Sequence, residues 1–434
     1  MPLPALNESA RFRYFTFFYL YAMQGIPAGF ALTTLANYLV GQGAAPNIVG
    51  SFVAIIGTPW ILQFLWGPVI DRYQYSVMGR RKHWLVSMQL GAFCTLLFLL
   101  FIKHPVQQIT TIATIFFIHS IFASFQDTSV DATAIFVVPP EERGRVNAYM
   151  RGGILIGTAI GAAVLSTILH FYNFFTAACL QSALLLIFTI VTFFTKIDKK
   201  DKLLPSFTKK ERLPDGHTAS EDNPTLKWMF RQLWEGMMTK KSLQVYGSIA
   251  LVYLCFSVFI RSYTYHIIHV LHWNDNDVSV LQGSWGNLLT FVVVIFAGMI
   301  ADKMGAARLQ KIVLWALGIY FLALCGSYMY WGNRTLTTAG LIIWNFADPM
   351  FSVASFPLLM ALCRPQVEGS QFTGYMAFLN FCDVMGSYIS GWALLIIPAP
   401  WLGMTCGAII TLLAISASWQ QYKLRERRSL ILEG

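Results

Sequence analysis

Residues 64–85 read FLWGPVIDRYQYSVMGRRKHWL, and residues 296–311 read FAGMIADKMGAARLQK. Each stretch has a Gly near the end of an apolar run, then an Asp followed by a cation, and then a Gly with basic residues before the next apolar run. The first stretch follows the second long apolar run of the chain, and the other follows the eighth. The chain therefore contains two related halves.

The composition indicates that most of the protein surface faces lipid rather than water. Hydrophobic residues make up 56% of the 434 residues and charged residues only 12%, whereas soluble domains carry a charged fraction of about 25%. The seven cysteines are scattered singly without a CxxC spacing, so they predict neither a metal site nor a disulfide framework. We expect an integral membrane protein without a cofactor or metal.

Twelve apolar runs are long enough to cross about 30 Å of hydrocarbon as helices that rise about 1.5 Å per residue. The predicted fold class is an all-α polytopic membrane protein with twelve transmembrane helices in two pseudo-symmetric six-helix bundles. The runs lie at 14–40, 48–70, 84–102, 107–137, 146–170, 174–195, 243–271, 278–301, 310–330, 336–362, 371–397 and 400–420.

Lys and Arg collect in alternate loops between these runs, and the other loops contain only Lys103 and Arg334. Positive residues are retained on the cytoplasmic side, so both termini are predicted to be cytoplasmic. The net charge of +10 then reflects topology rather than affinity for nucleic acid. A compact chain of this kind points to a bacterial inner membrane.

A polar segment, 196–242, separates the halves. Its second part places apolar residues at helical spacing with cations on the other face, which predicts a short helix on the membrane surface. The predicted domains are a first six-helix bundle at 1–195, a cytoplasmic linker at 196–242, and a second bundle with a cytoplasmic tail at 243–434.

Two carboxylates, Asp127 and Asp131, lie in the apolar run 107–137. A spacing of four puts them on one helical face, about 6 Å apart. An Asp near a helix centre costs about 2.5–3.5 kcal/mol on insertion scales, so the pair needs water, a partner or a proton. Their repulsion favours proton uptake by one of them. We predict a proton-coupling role; the alternative is a permanent ion pair with Arg151.

Two further carboxylates, Asp348 and Asp383, lie near the predicted midplane in the second half. Asp348 repeats the first-half pattern, because Asp127 precedes Arg143 by the same interval as Asp348 precedes Arg364. Ionisable residues at this depth are default candidates for the pathway of a carrier. Asp348 and Asp383 are therefore further proton-coupling candidates.

Arg261 lies in the seventh run, within the stretch FIRSYTYHIIHV. Its guanidinium can bind a carboxylate or phosphate with two parallel hydrogen bonds, so we predict that it binds an anionic group of a solute. The alternative is a structural bridge to Asp383 or Asp348. The solute-binding candidates are Arg261, Gln24, Tyr263, Tyr265 and Arg151.

The first run contains the stretch QGIPAGF, with Gln24, Pro27 and Gly29. A Pro at depth frees a backbone carbonyl, and Gly permits a hinge or close packing. The pattern predicts a bend where this helix lines the pathway. Gln24 contacts either the solute or a neighbouring helix.

The repeated loops suggest a conformational latch. An Asp at one helix end that faces Arg or Lys at the start of the next can clamp the helices in one conformation only. The alternative is that these charges anchor helix ends in the headgroups. The latch candidates are Asp71, Arg72, Arg80, Arg81, Asp302, Lys303 and Arg308.

The twofold loop and the six-plus-six organisation resemble the major facilitator superfamily. Several segments resemble the AmpG-like branch of this superfamily, which contains muropeptide permeases, acetyl-CoA transporters and a group of siderophore permeases. These segments are FLWGPVIDRY, MGRRKHWL, SFQDTSVDA, EERGR and GSQFTGYMAFLNF. The resemblance spans nearly the whole chain. Muropeptide permeases typically follow the fourth-helix Asp with a Trp and a basic residue, whereas Ala132, Thr133 and Ala134 follow Asp131 here, which keeps the siderophore branch open.

The resemblance implies a secondary active transporter, with proton-coupled uptake of a polar anionic solute such as an anhydromuropeptide. The alternative is a siderophore permease, and an acyl-CoA transporter is more distant. A polytopic enzyme would need a nucleophile with a nearby base, or an HExxH metal motif, and the sequence has no such metal motif. The expected partners are a small-molecule solute, protons and membrane lipid, without nucleic acid, and we expect a functional monomer.

Overall fold

The computed structural model describes residues 5–73, 76–139, 142–204, 226–283, 290, 304–363 and 368–433. These residues form helices joined by short loops, and no strand occurs among them. The α-helices are α1 Ala10–Gly29, α2 Ala36–Gly41, α3 Pro46–Ile61, α4 Gln63–Arg72, α5 Lys82–Leu97, α6 Ile109–Val137, α7 Arg143–Ala159, α8 Leu165–Phe171, α9 Phe174–Phe194, α10 Leu226–Met237, α11 Lys240–Tyr265, α12 Asp275–Gly283, α13 Ala306–Gly326, α14 Arg334–Met360, α15 Glu368–Ala393 and α16 Ala399–Glu433.

Nine helices in the described part of the chain are long and apolar enough to cross a membrane. The all-α polytopic class predicted from composition is therefore confirmed. Most of the predicted run 278–301 lies outside the described residues, so the count of twelve spans stays a prediction. Helices α1 and α15 occupy the positions of the predicted first and eleventh runs.

The loops of the first half alternate between two ends of the bundle. Leu6 N–H donates to the carbonyl of Lys196 (3.0 Å), and Lys202 N–H donates to that of Val77 (2.8 Å). The N-terminal segment, the loop before α5 and the segment after α9 therefore meet at one end, here named the basic end. The far end is the opposite one, where α2 ends and α12 begins.

Glycines on α7 bring it into backbone contact with α1. A Cβ added at Gly157 would lie 2.2 Å from the carbonyl oxygen of Ala22, and Cβ atoms at Gly153 and Gly161 would lie equally close to other α1 carbonyls. Only a residue without a side chain allows two helices to approach so closely. These glycines recur every four residues and therefore form the face of α7 that packs closely against α1.

Three helices change their winding near the far end. Helix α1 passes through Pro27 and then forms a π-helical turn at Phe30–Leu35, so the irregularity follows the predicted bend by one turn. Helices α7 and α11 end in π-helical turns at Ile160–Val164 and His266–Val270. Such turns inside α-helices are frequent at functional sites.

The two halves contact each other at the far end. Asn37 on α2 donates its side-chain amide to Ser279 Oγ (3.0 Å) and Gln282 Oε1 (2.9 Å) on α12. Gly50 on α3 and Gly391 on α15 also meet, because a Cβ at Gly50 would lie 2.9 Å from the Cα of Gly391. The far end is therefore closed in this conformation.

The linker helix α10 packs on the basic end of the second half. Leu233 is buried, and a Cβ added at Gly374 of α15 would lie 2.9 Å from its Cδ1. Trp234 and Arg231 remain exposed, and the location of this amphipathic helix on the membrane surface stays a prediction.

Candidate functional site

The predicted first-half carboxylates share one face of α6 and are held by two neighbouring helices. Gln63 Nε2 donates to Asp127 Oδ2 (2.6 Å), and the Tyr21 hydroxyl donates to Asp131 Oδ1. Gln63 opens α4 directly after Leu62, whose backbone leaves the helical conformation between α3 and α4. This break positions the amide of Gln63 against the carboxylate.

Gln24 and Arg151 complete the first-half cluster. Gln24 is only 7% exposed and directs its amide towards Asp127, yet its Nε2 completes no hydrogen bond among the described residues. Arg151 on α7 is within electrostatic range of Asp127 and Asp131. Within the described part of the chain, Arg151 forms no direct ion pair with either carboxylate. The cluster therefore keeps a guanidinium beside two carboxylates without locking them together.

Arg151 also reaches the second half. Its Cζ lies 5.8 Å from the ring centroid of Phe356 on α14, and it is an electrostatic neighbour of Tyr253 on α11. The Arg151 side chain is exposed. A guanidinium that is shared between the halves and accessible to water can bind an anionic group of a solute.

The second-half carboxylate Asp348 has hydroxyl neighbours. Ser352 Oγ donates to Asp348 Oδ1 (3.0 Å), and the Tyr253 hydroxyl lies 2.7 Å from Ser352 Oγ. Asp348 is exposed although it lies well inside α14. An accessible carboxylate at this depth makes Asp348 a candidate for the wall of a solute pathway.

Arg261 and Asp383 lie further towards the far end. Arg261 Nη1 donates to the carbonyl of Leu32 in the first half (2.6 Å). Asp383 on α15 is an electrostatic neighbour of Arg261. The described residues contain no direct Arg261–Asp383 ion pair. Solute contact by Arg261 stays a prediction.

The two candidate tyrosines have different surroundings. Tyr263 is 1% exposed, donates its hydroxyl to the Thr337 carbonyl (3.2 Å) and packs against Trp331. It belongs to the packed interior of the second half in this conformation, and its solute contact stays a prediction. Tyr265 lines a small cavity together with Arg261.

The described latch residues contact neighbouring helices. Arg80 Cζ lies 4.3 Å above the ring centroid of Phe136, and Arg81, with a left-handed backbone (φ 65°), donates Nη1 to the carbonyl of Ala132 (3.0 Å). The Arg308 side chain is exposed. The clamp stays a prediction, because Asp302 and Lys303 and the side chains of Asp71 and Arg72 lie outside the described residues.

Sequence reasoning missed four polar partners of the carboxylates. Tyr21 and Gln63 lie in the first half, and Tyr253 and Ser352 in the second. Tyr21 stands three residues before Gln24, so helical spacing could have placed both on one face. The described residues contain no group of side chains that could hold a metal ion. The site can bind charged groups and exchange protons.

Long apolar helices that carry charged side chains at depth are the arrangement that an integral membrane transporter needs. The family model of the Major Facilitator Superfamily matches residues 13–387, so the chain belongs to that superfamily. This membership confirms the resemblance and identifies a transporter rather than an enzyme.

The chain is similar to the anhydromuropeptide permease of Escherichia coli K12, with 23% identity over 376 residues that cover 85% of this chain and 71% of the permease. It also resembles the solved structure of the nucleoside transporter NupG, with a TM-score of 0.67 and 12% identity over 94% of this chain and 99% of that one. For a D-xylose-proton symporter the TM-score is 0.65, at 13% identity over 93% and 97% of the two chains. These likenesses between structures support the fold.

Proposed function

We propose that this protein couples the entry of protons to the uptake of a polar anionic solute, such as an anhydromuropeptide, across a bacterial inner membrane. Both termini lie in the cytoplasm, and a monomer is the working unit. With the far end closed, the solute cavity opens towards the basic end, and this conformation is then the inward-facing state of the carrier.

The pair Asp127 and Asp131 carries this proposal. A carrier must release its proton and its solute to the same side, and a carboxylate beside a second carboxylate can take up a proton where a lone, ion-paired one would stay charged. Gln63 and Tyr21 donate to the charged forms, and Arg151 lies nearby without a direct ion pair. Each carboxylate can therefore gain or lose a proton while the side chains of the cluster stay in place.

The cations of the cavity support an anionic solute. Arg151 is exposed between the halves and has free donor capacity for a carboxylate. The E. coli relative is named for anhydromuropeptides, which carry carboxylates and amides. The alternative solutes are siderophores and, more distantly, acyl-CoA.

Uptake by purified protein in liposomes tests the proposal. Labelled anhydromuropeptide, a ferric siderophore panel and acetyl-CoA are each offered with the outside acidic and with no pH gradient. We expect anhydromuropeptide to accumulate unchanged, and only with the gradient. Gradient-independent accumulation would contradict proton coupling, and accumulation of a siderophore alone would contradict the solute assignment.

A further inference from the structure

Arg261 joins the two halves at the closed far end. Its Nη1 lies 2.6 Å from the carbonyl oxygen of Leu32, although the residues are separated by more than half of the chain. A hydrogen bond from a charged donor is stronger than one between neutral groups. This contact therefore contributes to closure beyond the neighbouring amide contacts of Asn37.

The acceptor lies in an irregular part of the first helix. Leu32 belongs to the π-helical turn Phe30–Leu35, and π-helical turns are frequent at functional sites. Beside the contact, residues of both halves line a small cavity, among them Asn37 and Val49 from the first half and Arg261 and Thr264 from the second. Separation of the halves at the far end would open this cavity.

The guanidinium has a second partner within its own half. Arg261 Nε is buried without a hydrogen-bond partner among the described residues, and Asp383 on the adjacent helix is its electrostatic neighbour. Ser257 on α11 bonds Ser387 on α15 (2.7 Å), which fixes these two helices side by side. Arg261 and Asp383 therefore move together when the halves separate, whereas Leu32 moves away.

We propose that Arg261 is the gate residue of the far end: its bond to the Leu32 carbonyl holds this end closed, and Asp383 receives the guanidinium when the end opens. Arg261 is then a positioning residue of the transport cycle. This role requires neither bound solute nor a proton gradient, so it stands independently of the proposed solute and of proton coupling.

Accessibility of a reporter cysteine tests the gate. Val49 lines the cavity and is 6% exposed, so Val49→Cys should react slowly with a maleimide while the far end is closed. The protein is placed in lipid nanodiscs without solute, and labelling of the Val49→Cys peptide is measured by mass spectrometry. Arg261→Met keeps an unbranched, flexible stem but removes every donor, so the labelling rate should rise by roughly tenfold.

Two further variants make the result specific. Arg261→Lys keeps a charged donor and should restore slow labelling in part. Arg334→Met is the matched control, because Arg334 also lies at the far end but pairs with Asp277 (3.1 Å) inside its own half and is exposed; its labelling should equal that of the parent.

The outcomes separate the gate from other roles. Labelling of Arg261→Met at the parent rate, with a monodisperse protein, would overturn the proposal and leave Arg261 as a solute contact or a packing residue. An equal rise in Arg334→Met would overturn it too. Asp383→Asn removes the second partner and should lower labelling below that of the parent, and an unchanged rate would remove Asp383 from the gate.

Discussion

Arg13 is one of the basic residues that we interpreted as signals of membrane topology, and in the structure it also has a structural role. Its side chain donates Nε and Nη2 to the two oxygens of Glu142 and Nη1 to the carbonyl of Leu6. The two side chains are 6% and 18% exposed. A bidentate pair of this kind stabilises the fold more when it is buried than when it is exposed to water. The pair ties the start of α1 to the start of α7.

Arg13→Met should lower the thermal unfolding temperature, because it leaves Glu142 without its partner. Loss of one member of a buried pair costs about 3–5 kcal/mol, and the partial exposure of Glu142 makes this an upper bound. Arg231→Met is the control, since Arg231 pairs with Glu235 on the surface of α10, where pairs contribute at most about 1 kcal/mol. Equal unfolding temperatures of the two variants would contradict this account.

The carboxylates of the site were predictable and their partners were not. Asp127 and Asp131 stand out because a charged pair at a spacing of four is costly in an apolar run. Gln63 and Tyr21 belong to other helices, and only tertiary packing decides which polar residues of separate helices meet. The hydrogen bond from Tyr263 to the Thr337 carbonyl was unpredictable for the same reason.

Arg151→Lys should weaken solute binding by about 1–3 kcal/mol, because the ammonium keeps the charge but loses the planar fork. Titration calorimetry with anhydromuropeptide measures the change. Lys227→Arg, on the linker helix, serves as the control because it lies outside the cavity. Unchanged affinity in a folded Arg151→Lys variant would show that Arg151 does not contact the solute.

At the scale of the element, close packing of α1 on α7 depends on glycine. The apolar runs predicted where helices form, because length and hydropathy suffice for that. The π-helical turns could not be predicted, since length and hydropathy do not distinguish a π-helical turn from an α-helical one.

Gly157→Ala should destabilise the fold by about 1–3 kcal/mol, as overpacking of a core does. The new Cβ would lie 2.2 Å from the Ala22 carbonyl oxygen, so the two backbones must move apart. Gly247→Ala on α11 is the matched control, because nothing lies within 4 Å of its Cβ and Ala favours a helix. Thermal unfolding in detergent compares the two, and a Gly157→Ala protein as stable as Gly247→Ala would refute the close contact.

The segment after α9 provides a pH-dependent element outside the membrane. Burial raises the pKa of the Asp201 carboxyl, so its ionised form costs stability in the folded state as pH rises from 4 to above that pKa. Asp201→Asn can still accept from Ile197 N–H and Asp198 N–H. The unfolding temperature of the variant, minus that of the parent, should therefore increase as the pH rises above about 4, and a difference that stays constant with pH would contradict this assignment.

For the molecule as a whole, the structure shows a single conformation with a closed far end. The halves touch there through Asn37 and Arg261, while Asp131, Arg151 and Asp348 are exposed. The internal repeat predicted two halves, but a sequence encodes every state of the cycle at once. Which end is closed follows only from the contacts of a particular conformation.

We propose that the carboxylate pair of α6 couples protons to transport, and the Asp127→Asn variant tests this coupling. The neutral amide mimics protonated Asp127, so in liposomes the variant should exchange internal for external anhydromuropeptide but fail to accumulate it against its gradient when the outside is acidic. Asp277→Asn, an exposed carboxylate of the far end, should accumulate solute like the parent. Accumulation by Asp127→Asn at the rate and extent of the parent would contradict the account.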